Sequence, residues 1–311
     1  MVSCKTVIGA HSLGCYDRAK GIVMFAILIG LFAATCWSVH DLLARKYAAA
    51  IGSYRMAVAT MLVGAALLSG FVISSGSLLQ APSSTLLLLL ALGVIYGIAV
   101  SSLFKAFSLA PISIVGPFTA GYPALVVLWG LFTGLAPSLL QYGAVVLILA
   151  GAVVVGRTGA EDGGLRSVAK GKVFALIIFC SLAVVCFAAS VVLGQMISTS
   201  LGELETTGLS RLPAALFLIP FILIEKPDVK KIGKAAWGGI AIMASLDVVA
   251  VAAINYMGRL PGKEFGAMGI SAYGAISVLL AMLFLKEKVT AWQWVGIAMI
   301  VCGVAVLGAP F

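Results

Sequence analysis

The chain has 311 residues, of which 62% are hydrophobic and only 10% are charged. Soluble domains carry about 25% charged residues, so this chain cannot cover its surface with polar side chains and needs lipid as its solvent. The net charge of +9 does not indicate nucleic-acid binding, because most basic residues lie at the ends of apolar segments, where they face lipid headgroups. We expect a multi-pass protein of the cell (inner) membrane, surrounded by lipid.

Ten apolar segments are long enough to cross a bilayer as helices, which takes about 20 residues each. Arg18 and Lys20 precede the first segment, as in a signal peptide, but its length and the nine segments that follow predict a retained helix. The segments lie at roughly 21–42, 53–73, 84–104, 112–133, 138–156, 171–195, 207–224, 236–257, 264–285 and 290–308.

The segments recur in the same order on both sides of a short polar stretch. Ala19-Lys20-Gly21 recurs as Ala169-Lys170-Gly171, and Pro111 recurs as Pro261, in each case 150 residues later. Each half has five spans, so the second half must insert upside down relative to the first, as in transporters whose substrate lies between inverted repeats. We predict an all-α membrane protein of ten transmembrane helices in two inverted five-helix repeats. Its parts are an N-terminal tail (1–20), a first repeat (21–156), a linker (157–170) and a second repeat (171–311).

The fifth and tenth spans begin with the same polar spacing. Ser138 precedes Gln141 by three residues, and Thr290 precedes Gln293 by three residues. A hydroxyl and an amide at this spacing form a capping box, in which each side chain accepts a hydrogen bond from a free backbone N–H group. Both pairs therefore predict helix starts.

The end of the second half resembles the EamA repeat of the drug/metabolite transporter superfamily. The resemblance covers about 20–308 and is carried by Leu285-Lys286-Glu287-Lys288-Val289-Thr290, Gln293, Gly296, Gly303, Trp37-Ser38, Arg55 and Arg211. It implies export or exchange of small metabolites driven by gradients. It also implies termini in the cytoplasm, and fifth and tenth helices outside a central cavity.

The sequence departs from the family pattern at two places. Leu135 stands in the first half where Glu287 stands in the second. Phe187 stands in the second half at the position that Trp37 occupies in the first. We interpret Arg55, Arg211 and Glu287 as structural motif residues that serve packing or capping more than substrate chemistry.

Asp247 lies about twelve residues into the eighth span, where a carboxylate costs about 2.5–3.5 kcal/mol. Two interpretations are open: a proton or cation site facing a water-filled cavity, or a structural carboxyl paired with an Arg or Tyr of a neighbouring helix. Asn255 falls within about 80° of Asp247 on a helical wheel and is a candidate for the same cavity wall.

Aromatic residues are further candidates for a substrate cavity. Tyr96, Tyr122 and Tyr273 lie inside the third, fourth and ninth spans, and the last two occupy nearly equivalent repeat positions. With Trp37 they are candidates to bind substrate by stacking or hydrogen bonds, although helix packing with locally satisfied hydroxyls explains them equally well.

Other polar residues are predicted to be solvated charges or polar groups at helix ends. This applies to His40 and Asp41 at the end of the first span, and to Gln195 in the sixth.

Enzyme signatures are missing from the sequence. It contains no HExxH, GxSxG or Gly-Lys-Ser/Thr phosphate loop, and no Cys pair indicates a metal, so we expect no cofactor. A secondary transporter of a small-molecule substrate, with a proton as a candidate coupling ion, is the expected function. A membrane-embedded transferase and a non-transporting scaffold or channel subunit are the alternatives.

Basic residues are distributed unevenly between the two predicted membrane faces. Fourteen of the 20 lie on the face of the linker, and six, with Arg211 counted among them, lie on the face of the termini. The positive-inside rule therefore predicts a cytoplasmic linker and external termini, opposite to what the family resemblance implies.

Overall fold

The computed structural model describes residues 11–158, 170–225 and 233–308, and all regular structure within these ranges is helical. A π-helical turn, Ala281–Leu285, follows the twelfth helix. The helices are α1 (His11–Ile51), α2 (Ser53–Ser75), α3 (Ser77–Gln80), α4 (Ser83–Leu109), α5 (Ile112–Thr119), α6 (Tyr122–Phe132), α7 (Leu139–Thr158), α8 (Lys170–Leu201), α9 (Glu203–Ile222), α10 (Lys234–Met257), α11 (Lys263–Ile270), α12 (Ala272–Leu280) and α13 (Ala291–Gly308).

Seven helical segments of the described chain are long and apolar enough to cross a membrane, and shorter apolar helices accompany them at Leu139–Val155 and Ala291–Leu307. Large apolar side chains such as Phe32, Phe174 and Leu216 are exposed along these helices. Such surfaces are stable only against lipid, and the chain is an integral, multi-pass membrane protein. The segment α9, which carries Arg211 and two glutamates, is not among the seven.

Helix bounds differ from the predicted segments at three places. The first helix begins at His11, ten residues before the predicted span, and it continues to Ile51. The span expected over 112–133 is present as Ile112–Phe132, but its helix is not continuous, because the chain turns at 120–121 before α6. Pro123 has no N–H for the carbonyl four residues earlier, which accounts for the break. The helix expected over 264–285 is likewise interrupted at Ser271. The linker predicted at 157–170 lies mostly outside the described residues.

Equivalent helices of the two halves pack against each other in antiparallel pairs. These pairs are α2 with α9 and α7 with α13, and the two-part span α5–α6 packs on its equivalent α11–α12, with α5 against α12 and α6 against α11. Gly52, before α2, faces Glu225 after the end of α9, whereas Leu68, late in α2, faces Gly208 early in α9. Antiparallel contact between equivalent helices is the packing expected when one half is inverted relative to the other.

Cross-half contacts also join the first and third long helices of each half. The helix α1 packs on α10, and α4 packs on α8. The main apolar core lies between these helices, and a second core is formed largely by α7 and α13 with their neighbours. The first core surrounds the polar side chains described below, so those side chains are screened from lipid.

Both predicted capping boxes are confirmed. The backbone N–H of Ser138 donates to Gln141 Oε1 at 2.8 Å, and that of Gln141 donates to Ser138 Oγ at 3.3 Å. Thr290 and Gln293 form the same reciprocal pair at 2.9 and 3.2 Å. These bonds satisfy backbone N–H groups that would otherwise lack partners at the starts of α7 and α13.

Candidate substrate cavity

Asp247 is 3% exposed in α10 and meets side chains from three other helices. Arg211 Nη2 of α9 lies 2.8 Å from Asp247 Oδ2. Trp37 of α1 donates from Nε1 to Asp247 Oδ1 at 3.1 Å, and the Tyr96 hydroxyl of α4 donates to the same oxygen. The carboxylate is thus paired with an Arg and a Tyr of neighbouring helices and at the same time lines a cavity. Its role in transport stays a prediction.

Arg211 is fully buried, at 0% exposure. Its guanidinium carbon lies 4.6 Å from the centre of the Tyr96 ring, and Nη1 lies 3.7 Å from Met61 Sδ. Among the described residues, its Nε has no hydrogen-bond partner. Counting Arg211 as a loop charge was wrong, because α9 begins at Glu203 and carries Arg211 into the interior.

The cavity at Asp247 is small in this conformation. Its aromatic wall is formed by Trp37, Tyr96, Tyr122 and Phe187. Its volume of about 30 Å³ is enough for about two water molecules, since each needs at least about 10–15 Å³ on this scale. A substrate of several heavy atoms therefore requires the helices to move apart.

Asn255 lies on the wall of a neighbouring cavity. This cavity is also lined by Arg211 and Gly194, and it shares Trp37 and Tyr96 with the first. Asn255 Nδ2 donates to a threonine hydroxyl of α9 at 3.0 Å. A Cβ atom at Gly194 would lie 2.5 Å from Asn255 Oδ1, so the glycine makes room for the amide.

Three pairs of contacting residues stand at equivalent or nearly equivalent positions of the two halves. The pairs are Tyr96 with Asp247, 151 positions apart, Met61 with Arg211, 150 positions apart, and Trp37 with Phe187. When two halves are related by a two-fold rotation, equivalent residues of the two halves can contact each other only near the rotation axis. The cavity therefore lies where the two halves meet around their common axis.

His40 and Asp41 are buried, at 4% and 1% exposure, and their prediction as solvated helix-end charges was wrong. The reason is that α1 does not end near residue 42 but continues to Ile51. His40 Nδ1 lies 2.7 Å from Asp41 Oδ1, and the Tyr273 hydroxyl of α12 donates to Asp41 Oδ2. Asp41 follows Trp37 by four residues, so both share one face of the helix; that spacing could have identified it.

Gln195 was also wrongly predicted to be solvated. It is buried in α8, which extends six residues beyond the predicted segment. Its Nε2 donates to the carbonyl of Ile254 at 3.3 Å, so it joins α8 to α10.

The remaining predicted site and motif residues separate into two groups. Tyr122 and Tyr273 line the cavity, and the Tyr122 hydroxyl is buried without a hydrogen-bond partner among the described residues. Arg55 lies half-buried in the first turn of α2 and lines neither cavity. Glu287 Oε2 accepts a bond from the backbone N–H of Ser113 at 3.3 Å, at the start of α5. That contact is a helix cap supplied by the other half.

Comparisons with known proteins agree with this architecture. A solved structure described as "Crystal structure of protein" has a TM-score of 0.71 and 23% sequence identity, covering 90% of this chain and 95% of that one. This likeness shows the fold, and no curated protein matches the sequence. The pattern of the EamA-like transporter family matches residues 24–157 and 174–309, one match for each half. Because these matches span most of the sequence, the chain belongs to the EamA-like transporter family of membrane transporters.

Proposed function

We propose that the chain is a secondary transporter, an exporter or exchanger of a small metabolite or drug-like molecule, with ten spans in two inverted five-helix repeats. The antiparallel packing of equivalent helices supports the inversion. Counting α5 with α6, and α11 with α12 and the π-helical turn, as single interrupted spans supports the number ten.

One observation carries the proposal: the ion pair between Arg211 and Asp247 is buried at the axis between the halves. Asp247 belongs to the second half, whereas its partners Trp37 and Tyr96 belong to the first. Opening the cavity toward either membrane face moves one half against the other and changes these cross-half bonds. The bonds made by a charged group at this position therefore depend on which membrane face the cavity is open to.

Asp247 is the proposed coupling residue. A proton that binds Asp247 removes the negative charge that holds Arg211, and Arg211 becomes available to another partner. Because Arg211 faces the second cavity together with Asn255, the freed guanidinium changes the charge there. Proton binding at one cavity thereby alters the other, and an imposed pH gradient drives the cycle.

The test is flux in proteoliposomes that contain the full-length chain. A screen of growth under toxic metabolite analogues, with the gene deleted and overexpressed, first supplies a transported compound. Wild type is expected to move this compound faster when a pH gradient is imposed, and Asp247→Asn is expected to lose gradient-driven transport.

Asp247→Glu is the matched control, since it keeps the carboxylate and changes its position by one methylene. Normal transport by Asp247→Asn that still depends on the pH gradient would eliminate the coupling role. A wild-type chain that changes neither resistance nor flux for any compound would count against transport itself.

A further inference from the structure

The end of the cavity at Asp41 differs in charge from the end at Asp247. Arg211 compensates the charge of Asp247 at 2.8 Å. The partners of Asp41 in the described chain are His40 and Tyr273, which carry no permanent positive charge. Arg45, one helical turn away, instead donates to the carbonyl of Phe107 at 2.5 Å. In the described chain, the carboxylate at the Asp41 end of the cavity therefore has a histidine as its charge partner and no Lys or Arg side chain.

We infer that Asp41 binds the protonated amine of an aromatic or apolar substrate. This inference rests on the proposed transport function and names its substrate class. A buried carboxylate without a permanently charged partner is costly, and a bound ammonium group supplies such a partner. Asp41 was not among the residues that the sequence predicted to bind substrate.

The cavity wall is suited to the rest of such a molecule. The rings of Trp37 and Phe187 lie 6.3 and 5.7 Å from the ring of Tyr122 and surround the same space. Aromatic faces attract cations and stack on apolar or aromatic groups. A ligand that carries both a positive charge and a ring uses both features of this wall.

The Tyr122 hydroxyl is a second, independent indication of a ligand. It is buried without a partner in the described chain, while its side chain lines the cavity. A buried hydroxyl that makes no hydrogen bond loses free energy relative to one in water. A ligand in the cavity that offers a further N–H group can satisfy the oxygen of Tyr122.

An organic cation fits the site better than a metal ion. In the described part of the chain, no three His, Cys, Asp or Glu side chains come together in a way that could hold a metal. Metal sites built from hard oxygen ligands use six or more donors. Asp41 with hydroxyl and aromatic neighbours instead provides one charge and a broad apolar surface.

Equilibrium binding to the purified full-length chain in lipid nanodiscs tests the inference. The probes are 2-phenylethylammonium chloride, 3-phenylpropionate as an anion of similar shape, and sodium chloride alone. We expect the amine to bind wild type, and Asp41→Asn to bind it about 10- to 100-fold more weakly, the range for a hydrogen bond to a charged group. Tyr122→Phe is expected to bind it about 2- to 10-fold more weakly.

Asp41→Glu controls for folding, because it restores the charge and should recover most of the affinity that Asp41→Asn loses. Equal binding of amine and carboxylate by wild type, unchanged amine affinity in Asp41→Asn, or binding of sodium but not of the amine would each overturn the inference. Binding is measured without a gradient, so failed transport with intact amine binding contradicts the proposed function and leaves this inference standing.

Discussion

Tyr96 donates a hydrogen bond to Asp247, and the two residues stand at nearly equivalent positions of the two halves, 151 residues apart. Neighbouring positions of the repeat thus hold a phenol in the first half and a carboxylate in the second. Near the axis the two copies of a repeat share one space, so each copy can supply a different partner of the same bond. The architecture is symmetric at this point, but its chemistry is not.

The buried ion pair predicts a specific pattern of stabilities. Arg211→Gln and Asp247→Asn are each expected to lower the free energy of unfolding by about 3–5 kcal/mol, because each leaves one buried partner without its counter-charge. The double variant should lose less than the sum of the two, by about 0.5–3 kcal/mol. Unfolding of purified protein in mixed micelles measures all three.

The ion pair of Arg259 with Glu203 is the matched control. Its atoms are 2.6 Å apart, but the Arg259 side chain is 46% exposed. Glu203→Gln is therefore expected to cost about 1 kcal/mol or less. Additive losses in the Arg211 and Asp247 cycle would contradict the assigned coupling between those two residues.

Close packing of α7 on α13 makes a second prediction, on glycine. A Cβ atom at Gly151 would lie 2.7 Å from the carbonyl oxygen of Gly296, whereas one at Gly143 would meet nothing within 4 Å. Gly151→Ala is expected to destabilise the protein by about 1–3 kcal/mol, because two backbones must separate. Gly143→Ala is expected to be neutral or to stabilise by up to about 1 kcal/mol, since alanine favours helix.

Melting temperatures of the two alanine variants in the same detergent give the comparison. If Gly151→Ala melted at or above the temperature of Gly143→Ala, α7 and α13 would not be in the close contact that the structure describes.

Orientation in the membrane is a third prediction. Because Arg211 is buried inside the protein, five basic residues remain on the face of the termini, against fourteen on the face of the linker. The positive-inside rule then places the linker in the cytoplasm and Phe311 outside. A fluorescent reporter fused after Phe311 should stay dark, and one inserted between residues 160 and 168 should fluoresce. Fluorescence of the terminal fusion alone would reverse the assignment.

Apolar length and the repeat offset predicted much of the helical fold. The pairing of Ser138 with Gln141 shows why: a cap depends on residues three positions apart, and local sequence contains that information. The break before α6 was missed, because Pro123 is equally compatible with a kinked or a divided helix.

The site was harder to predict, because its partners come from distant segments. Asp247 stands out as a charge inside an apolar segment, but its pairing with Arg211 requires knowledge of how α9 and α10 face each other. Asp41 was placed at a helix end only because the apolar segment stops near it. Hydropathy shows where a segment becomes polar, but it does not distinguish a buried polar cluster from a membrane face.

The last prediction concerns Glu225, which links the end of the second half's α9 to the first half. Its two carboxylate oxygens accept bonds from the backbone N–H groups of Ser53 and Tyr54, at 2.8 and 2.9 Å, and cap the start of α2. Lys105 Nζ of α4 also lies 3.0 Å from Glu225 Oε1. Glu225→Ala should therefore destabilise the protein by about 1–2 kcal/mol, chiefly through loss of the cap.

Lys105→Met separates the cap from the ion pair. It removes the charge partner and leaves both backbone bonds of Glu225 intact, so it should cost about 1 kcal/mol or less, since Lys105 is partly exposed. Unfolding of both variants in the same detergent gives the comparison. Equal stability losses in the two variants would show that Glu225 acts only as a charge partner of Lys105.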